Sequence, residues 1–289
     1  MKLLTISLLP VVIIGCNTAV NADKEIPSLA LKNGTVYSVS SRETTHAVSP
    51  SGASSGDTLI FEFDLVPTAS DSAGYSLTMI IRRLALVRTP QQVSIVKGHT
   101  PAQLTMLDYW VTKKKVFEKV ENDSLRLHLE KNGRLTSLYG FENTLKHVSA
   151  EMDMSISHVN GMLDDYLSLP ALRDRFAQLF FYLPPGAIDT SATWVNNTVH
   201  TSMAPVRFSH MMKVDSIGKQ HYQLAVKGTI SAGEEGMYYM KGTQTGTVWM
   251  DRSSGLPSRL ELQQETKTQT TGGVVNRTGT LEVLCVPRR

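Results

Sequence analysis

Along most of this chain, hydrophobic and polar residues alternate one by one. Leu59, Phe61, Phe63 and Leu65 are separated by Ile60, Glu62 and Asp64, and Tyr75, Leu77, Met79 and Ile81 repeat the pattern. A period of two sends successive side chains to opposite faces, so both segments predict half-buried β-strands. Val36 to Val48 predicts another strand, polar and rich in β-branched residues. Ser49 to Asp57 and Thr68 to Gly74, rich in Ser and Gly, read as the turns between them. Val116 to Val120 and the alternating Leu125, Leu127 and Leu129 predict two more strands around the turn Glu121-Asn122-Asp123-Ser124. Lys131-Asn132-Gly133-Arg134 predicts a hairpin, because Asn-Gly takes the positive φ angles of a type I′ turn. Leu135 to Tyr139 is its return strand.

The period then changes. Met162, Leu163, Tyr166 and Leu167 recur at helical spacing, and Leu172, Phe176, Leu179 and Phe180 resume it after Pro170. Helices are predicted over roughly 142–168, with a break, and over 170–181, where Leu183-Pro184-Pro185-Gly186 stops the second. Alternation returns at Tyr222, Leu224 and Val226, then over Met237 to Met240, Gly246 to Asp251, Ser258 to Thr266 and Thr278 to Val286. Turns are expected at Ser231 to Glu235, Arg252 to Gly255 and Thr271 to Gly273. This predicts a single β-dominated α+β domain over 29–289. A curved antiparallel sheet, or two linked sheets, packs on central helices in the manner of a half-barrel.

The first residues read differently. Met1-Lys2 is a short basic start, and Leu3 to Ile14 is apolar except at Thr5, Ser7 and Pro10. That stretch suits a signal h-region and falls short of the ~20 residues of a spanning helix. Ile13-Ile14-Gly15-Cys16 resembles a bacterial lipobox: the small Gly15 admits cleavage before Cys16, whose thiol takes the lipid. The competing reading is an ordinary signal peptide cut after Val20-Asn21-Ala22. The lipobox assigns 1–15 to a signal peptide and 16–28 to a lipidated tether. It makes the membrane a partner through the acyl chains. Asn17 is not the Asp that follows the cysteine in lipoproteins kept at the inner membrane, so the outer membrane is expected.

Charge and chemistry narrow the function. A formal net charge of +3 argues against a nucleic-acid partner. Lys113-Lys114-Lys115 reads as a solvated strand end. With Cys16 acylated, Cys285 has no cysteine to pair with and reads as a buried structural thiol. Gly52-Ala53-Ser54-Ser55-Gly56 matches the nucleophile-elbow pattern, but an elbow needs a buried strand before it and a helix after it. Here polar and alternating strands flank it, so a hairpin tip is expected. The eight histidines contain no His-x-His or His-x-x-x-His, and His200 with His210 lacks a third ligand, so no metal is predicted. Asp164-Asp165 and Glu234-Glu235 read as solvated pairs. No phosphate loop, dinucleotide fingerprint or other cofactor motif is present. The densest aromatic run, 176–183, makes Phe176, Leu179, Phe180 and Leu183 the candidate wall of an apolar pocket; plain core packing is the alternative.

Three stretches carry a resemblance. They are Leu129 to Gly140; Ala177 to Pro184 followed by Ser191-Ala192-Thr193-Trp194; and Gly242 to Asp251 with Gly255. Together they resemble an uncharacterised family of Gram-negative envelope lipoproteins known only as a domain of unknown function. Ala192-Thr193 stands where that family has Gly-Asp before the tryptophan. The resemblance implies a fold and a location and brings no catalytic residues. Thr247 to Asp251, a Gly turn and an alternating strand also resemble periplasmic lipoprotein-carrier half-barrels, which hold acyl chains between sheet and helices. The expectation is a non-enzymatic, membrane-anchored envelope protein binding a hydrophobic or lipid-like ligand. A structural or interaction protein without a cavity is the alternative, and a hydrolase the more distant one.

Overall fold

The computed structural model describes residues 26–89, 101–201, 205–234 and 238–288. Gly15, Cys16, the signal segment and the tether as far as residue 25 lie outside them, as do Glu235 and Met237.

The described strands form one antiparallel sheet. The first group is β1 (Val36–Val48), β2 (Ser54–Ser70), β3 (Gly74–Thr89), β4 (Ser124–Glu130) and β5 (Leu135–Tyr139). The second is β6 (Thr193–His200), β7 (Val206–Ile217), β8 (His221–Glu234), β9 (Tyr238–Asp251), β10 (Pro257–Thr270) and β11 (Gly273–Arg288). The spatial order is β5-β4-β3-β2-β1-β11-β10-β9-β8-β7-β6. Every neighbour in space is a neighbour in sequence except one pair. β1 lies against β11, with Val36 opposite Arg288 and Val48 opposite Asn276. The sheet is open and curved, with β5 and β6 as its edges.

The alternation does what its period requires. Leu59, Phe61, Phe63 and Leu65 are all buried, and so are Tyr75, Leu77, Met79 and Ile81. The register of β2 against β3 shifts between Glu62 and Phe63. One carboxylate is buried in this region. Asp64 accepts hydrogen bonds from Ser38 Oγ at 2.6 Å and Arg82 Nε at 2.8 Å. Burial alone would raise its pKa, but these partners outweigh it and hold the carboxyl below its ordinary range.

Four helices accompany the sheet among the described residues: α1 (Pro101–Lys119), α2 (Phe141–Met152), α3 (Ile156–Leu167) and α4 (Leu169–Phe180). Asp153, at φ 51, ends α2, and the Ser155 side chain accepts from His158 N to open α3. Ser168 caps α4 through Ala171 N, with Pro170 in its first turn, where a missing N–H costs nothing. The apolar cluster runs through sheet and helices alike. Phe61 meets Phe63 at 4.8 Å between ring centroids, Phe63 meets Phe176 at 6.2 Å, and Phe176 meets Phe180 at 5.9 Å, joining β2 to α4.

Several sequence expectations are corrected. Val116 to Val120 is the end of α1 and its exit rather than a strand. Val116, Phe117 and Val120 are buried while Glu118 and Lys119 are exposed, a helical spacing that the strand-favouring residue types Val and Phe outweigh in the sequence. The lysine run lies on the same helix and is not uniformly solvated. Lys113 is only 6% exposed, with Nζ 4.8 Å from the Tyr166 ring centroid and 5.5 Å from that of Trp110. The β4–β5 turn is not type I′. Gly133 has φ 86 but Asn132 is not in the positive region; Asn132 Oδ1 instead accepts from Arg134 N at 2.9 Å. Gly133 N donates to Glu130 O, and Glu130 N to Arg134 O, giving a three-residue loop closed by a glycine bulge. β8 also continues to Glu234 where the sequence predicts a turn, because Ile230 and Ala232 keep alternating into the core against β9. The segments around Met240 and Gly246 form one continuous β9.

Candidate functional site

The sheet would close into a barrel if β5 met β6. Instead the chain passes from one edge to the other through α2, α3 and α4, and α4 touches both edges. On the β5 side, Arg173 donates from Nε to Leu135 O at 3.2 Å and from an Nη to Thr136 O at 3.0 Å. On the β6 side, Asp174 accepts from Thr201 N at 3.0 Å. Asn196 Nδ2 donates to Phe181 O at 2.5 Å and Leu183 O at 2.9 Å, tying the segment after α4 to β6. The Tyr182 hydroxyl donates to Gly255 O at 2.9 Å, and its complete burial raises its pKa well above the ordinary value. Side chains from one short helix thus reach backbone groups at both ends of the sheet.

What the helix leaves open is a cleft of about 860 Å³. One wall is the β4–β5 hairpin from Lys131 to Leu135. The second is α4 and its exit, with Arg173, Ala177, Phe180, Phe181, Leu183 and Pro184. The third is β6 from Asn196 to Val199. Ile26, Pro27 and Ser28 form part of the rim. The volume lies within the ~300–1,000 Å³ typical of small-molecule sites.

The four residues read from sequence as a pocket wall are divided by the structure. Phe180 and Leu183 line this cleft. Phe176 and Leu179 face inward, onto a cavity of about 30 Å³ beside Val39, Phe61 and Arg175. A space that small holds little more than a water molecule. A second interior cavity, bordered by Glu43, Gln178, Gln244 and Gln264, measures about 10 Å³.

Sequence reading missed a polar band across the buried face. Asn196, His210, Gly228, Gln244, Gln264, Gly279, Thr45 and Asp57 stand directly opposite one another in one row. Two residues along, the row reads Met212, Val226, Gly246, Leu262 and Leu281. His210 Nε2 donates to Gln244 Oε1 at 2.5 Å. The His210 ring occupies the space over Gly228, where a Cβ would come within 2.7 Å of its Cδ2. Phe208 lies between two imidazoles, with its centroid 4.4 Å from His200 and 5.8 Å from His210. Burial lowers the pKa of both histidines, against a smaller opposing effect of Asp174 on His200 and of Gln244 on His210. His200 Nε2 and His210 Nδ1 are enclosed without a hydrogen-bond partner. The only sequence signal for the band is the polar break in each strand's alternation, which single strands do not reveal as a row.

The remaining candidates fall where strands and helices put them. Gly52 to Gly56 is the β1–β2 hairpin tip and the first residues of β2, with a strand on either side. Cys285 is buried, and burial pushes its thiol pKa up to about 12, which leaves it protonated and unreactive. Asp164 and Asp165 are exposed on α3. Among the described residues, no three His, Cys, Asp or Glu side chains gather as a metal site, and no helix is long and apolar enough to cross a membrane.

The fold is therefore an open antiparallel meander whose gap is bridged by helices, with a cleft at the gap. Residues 91–257 match DUF6263, a family of unknown function, and the chain belongs to that family. The matched span includes all three walls of the cleft but not the rim at Ile26 to Ser28. No curated protein matches the chain. Among solved structures, one concerned with lipid–protein interactions in lipovitellin matches 89% of this chain and 25% of that chain, at 9% identity and a TM-score of 0.50. The chain thus spans a quarter of the length of that structure, and the likeness is one of fold. A conserved protein of unknown function with a hot dog fold, from Alicyclobacillus acidocaldarius, is aligned over 90% of this chain and 81% of that chain at 9% identity, but at a TM-score of 0.13.

Proposed function

We propose that this protein is a non-enzymatic envelope lipoprotein, anchored to the outer membrane through a lipidated Cys16, that binds a hydrophobic or lipid-like ligand in the cleft between β5, α4 and β6. The observation that carries the reading is the cleft itself: about 860 Å³, at the place where a barrel would have closed, with Phe180, Phe181 and Leu183 on one wall. In this reading the sheet is a half-barrel and the helices sit within its curve. The solved structure of lipovitellin whose fold it resembles concerns lipid–protein interactions. Such a ligand needs no cofactor, and the small net charge suits it better than nucleic acid. Native mass spectrometry of the protein released from membranes tests the reading. An amphiphile retained beyond the covalent anchor is expected, and its absence in wild type under conditions that retain known lipid complexes overturns it. The anchor has its own test: Cys16→Ala abolishes incorporation of labelled palmitate, and unchanged incorporation would remove the lipobox.

A second reading rests on the two interior cavities. At about 30 and 10 Å³ they leave little room around Phe176, Gln178 and Leu179 on the inner face of α4. A structural or interaction protein of the envelope with no ligand would be built this way, and the same mass spectrum separates the two.

A further inference from the structure

We infer that the ligand of the cleft is a phospholipid with a net negative headgroup, taken from the membrane surface, with its headgroup at Lys131 and Arg134 and its chains along the end of α4. This rests on the lipid-binding reading above and adds the ligand's charge and source.

The first argument is charge. The charged side chains of the cleft are Lys131, Arg134, Arg173 and Asp174, an excess of cations. Asp174 is engaged by Thr201 N, and Arg173 spends two N–H groups on the carbonyls of Leu135 and Thr136. Lys131 and Arg134 are both exposed, and neither forms a salt bridge among the described residues. They flank the tip of one hairpin. The apolar wall of Phe180, Phe181, Leu183 and Pro184 begins beside them, because Gly133, between the two cations, packs on the Phe180 ring. A cationic pair next to an apolar wall matches an anionic amphiphile at both ends, and matches neither a neutral oil nor a polar anion.

The second argument is position. The chain enters the described structure at the cleft: Ile26 to Ser28 form its rim, and Leu29 N donates to Lys131 O at 3.3 Å. Ala30 N donates to Ser254 O, and the Tyr75 hydroxyl to Leu29 O at 2.7 Å, so this entry point is fixed. A fully extended chain gains at most ~3.6 Å per residue, so a lipidated Cys16 holds the rim within about 35 Å of its bilayer. The basic hairpin is hydrogen-bonded to the end of that tether and so stays within the same reach of the lipid. Anionic surfaces draw such lysine and arginine side chains towards them.

The test uses the purified mature protein, delipidated and mixed with dioleoylphosphatidylcholine vesicles carrying a pyrene-labelled lipid, either phosphatidylglycerol or phosphatidylcholine. Transfer of label to protein is expected for phosphatidylglycerol, and Lys131→Glu with Arg134→Glu should weaken it by about tenfold or more. Lys131→Gln with Arg134→Gln serves if the reversed pair fails to fold, and should weaken transfer in the same direction. Equal uptake of both lipids, unaffected by either pair, overturns the inference and leaves a charge-blind lipid binder. Uptake of free oleate but of neither vesicle lipid overturns the membrane source. If no amphiphile binds and none is found by native mass spectrometry, the underlying reading fails and takes this one with it.

Discussion

Gly133 packs against Phe180 so closely that a Cβ on the glycine would lie 2.4 Å from the phenylalanine Cβ and 2.5 Å from its Cγ. The glycine also holds φ 86, a backbone region that costs other residues ~1–3 kcal/mol. One contact therefore fixes the β4–β5 hairpin against the end of α4, beside the cleft that both residues line. Gly133→Ala is expected to lose about 1–3 kcal/mol in a urea melt. Part of that loss should disappear when Phe180→Ala is present as well, and a double-mutant cycle with no coupling would show that the hairpin is not seated on the ring.

Phe176 and Phe180 are on one helical face but should not respond alike. Phe176 is 1% exposed, between the rings of Phe63 and Phe180, and lines only the small interior cavity. Phe176→Ala is expected to cost ~3–5 kcal/mol by urea denaturation. Phe180 shares its surroundings with the cleft, so Phe180→Ala should cost less and Phe180→Leu less again. An equal or greater loss at Phe180 would mean that its outer side is filled.

Lys113 carries a cation into an aromatic enclosure formed with Tyr109, Trp110, Phe117 and Tyr166. Burial lowers its pKa, partly opposed by Asp165, and burial raises that of Tyr166 to about 12. Lys113→Met keeps the stem and removes the cost of burying charge, so a change within ~1.5 kcal/mol is expected. Lys113→Glu places a carboxylate against ring faces and should cost ~3 kcal/mol or more. Lys114→Gln, on the exposed side of α1, should be neutral. Thermal melts of the three variants order them, and a neutral Lys113→Glu would refute the enclosure.

The buried histidines give stability a direction with pH. His200 and His210 have folded-state pKa values lowered by burial from 6.5, so the unfolded chain takes up their protons first. Stability from this pair is complete above pH 6.5 and declines as pH falls below it. His147 works oppositely. Its hydrogen bond with Glu151 and its contact with Asp123 raise its pKa, so its smaller, exposed contribution fades as pH rises above 6.5. The urea midpoint is expected to drop between about pH 6.5 and 5, and the drop should shrink when both buried histidines become glutamine. A slope unchanged in that double variant would place the loss elsewhere.

Which parts are legible in the sequence follows from how local each signal is. Leu59 to Leu65 and Tyr75 to Ile81 announce their strands because each repeats a period of two without a break. The helices near 141–180 announce themselves through spacing and proline. Val116 to Val120 misleads because its two valines and a phenylalanine suit a strand by residue type, whereas its spacing, apolar at 116, 117 and 120, is helical. The hairpin at Asn132-Gly133 is visible but its type is not, since the Asn132 side chain takes a backbone donor that no dipeptide rule counts. The cleft is half legible. Phe180 and Leu183 stand out in the sequence as aromatic and apolar. What places them on a cleft, however, is the absence of pairing between β5 and β6, and that is decided by the whole sheet's order. The His210–Gln244 bond spans 34 residues and depends on a register no alternation pattern specifies.

The pairing of β1 with β11 sets the order in which the fold can be completed. The strands from β1 to β5 pair in sequence order, with α1 inserted between β3 and β4, and those from β6 to β11 do so as well, so each half can assemble from strands consecutive in the chain. The seam between the halves joins Val36 to Arg288 and Val39 to Cys285, pairs far apart along the chain. Contacts of such long sequence separation form slowly. Until they do, β1 offers an open edge at what will become the middle of the sheet. A newly made molecule therefore passes through a stage with two half-sheets and exposed strand margins, when it is most in need of a chaperone and most able to pair with the wrong copy of itself.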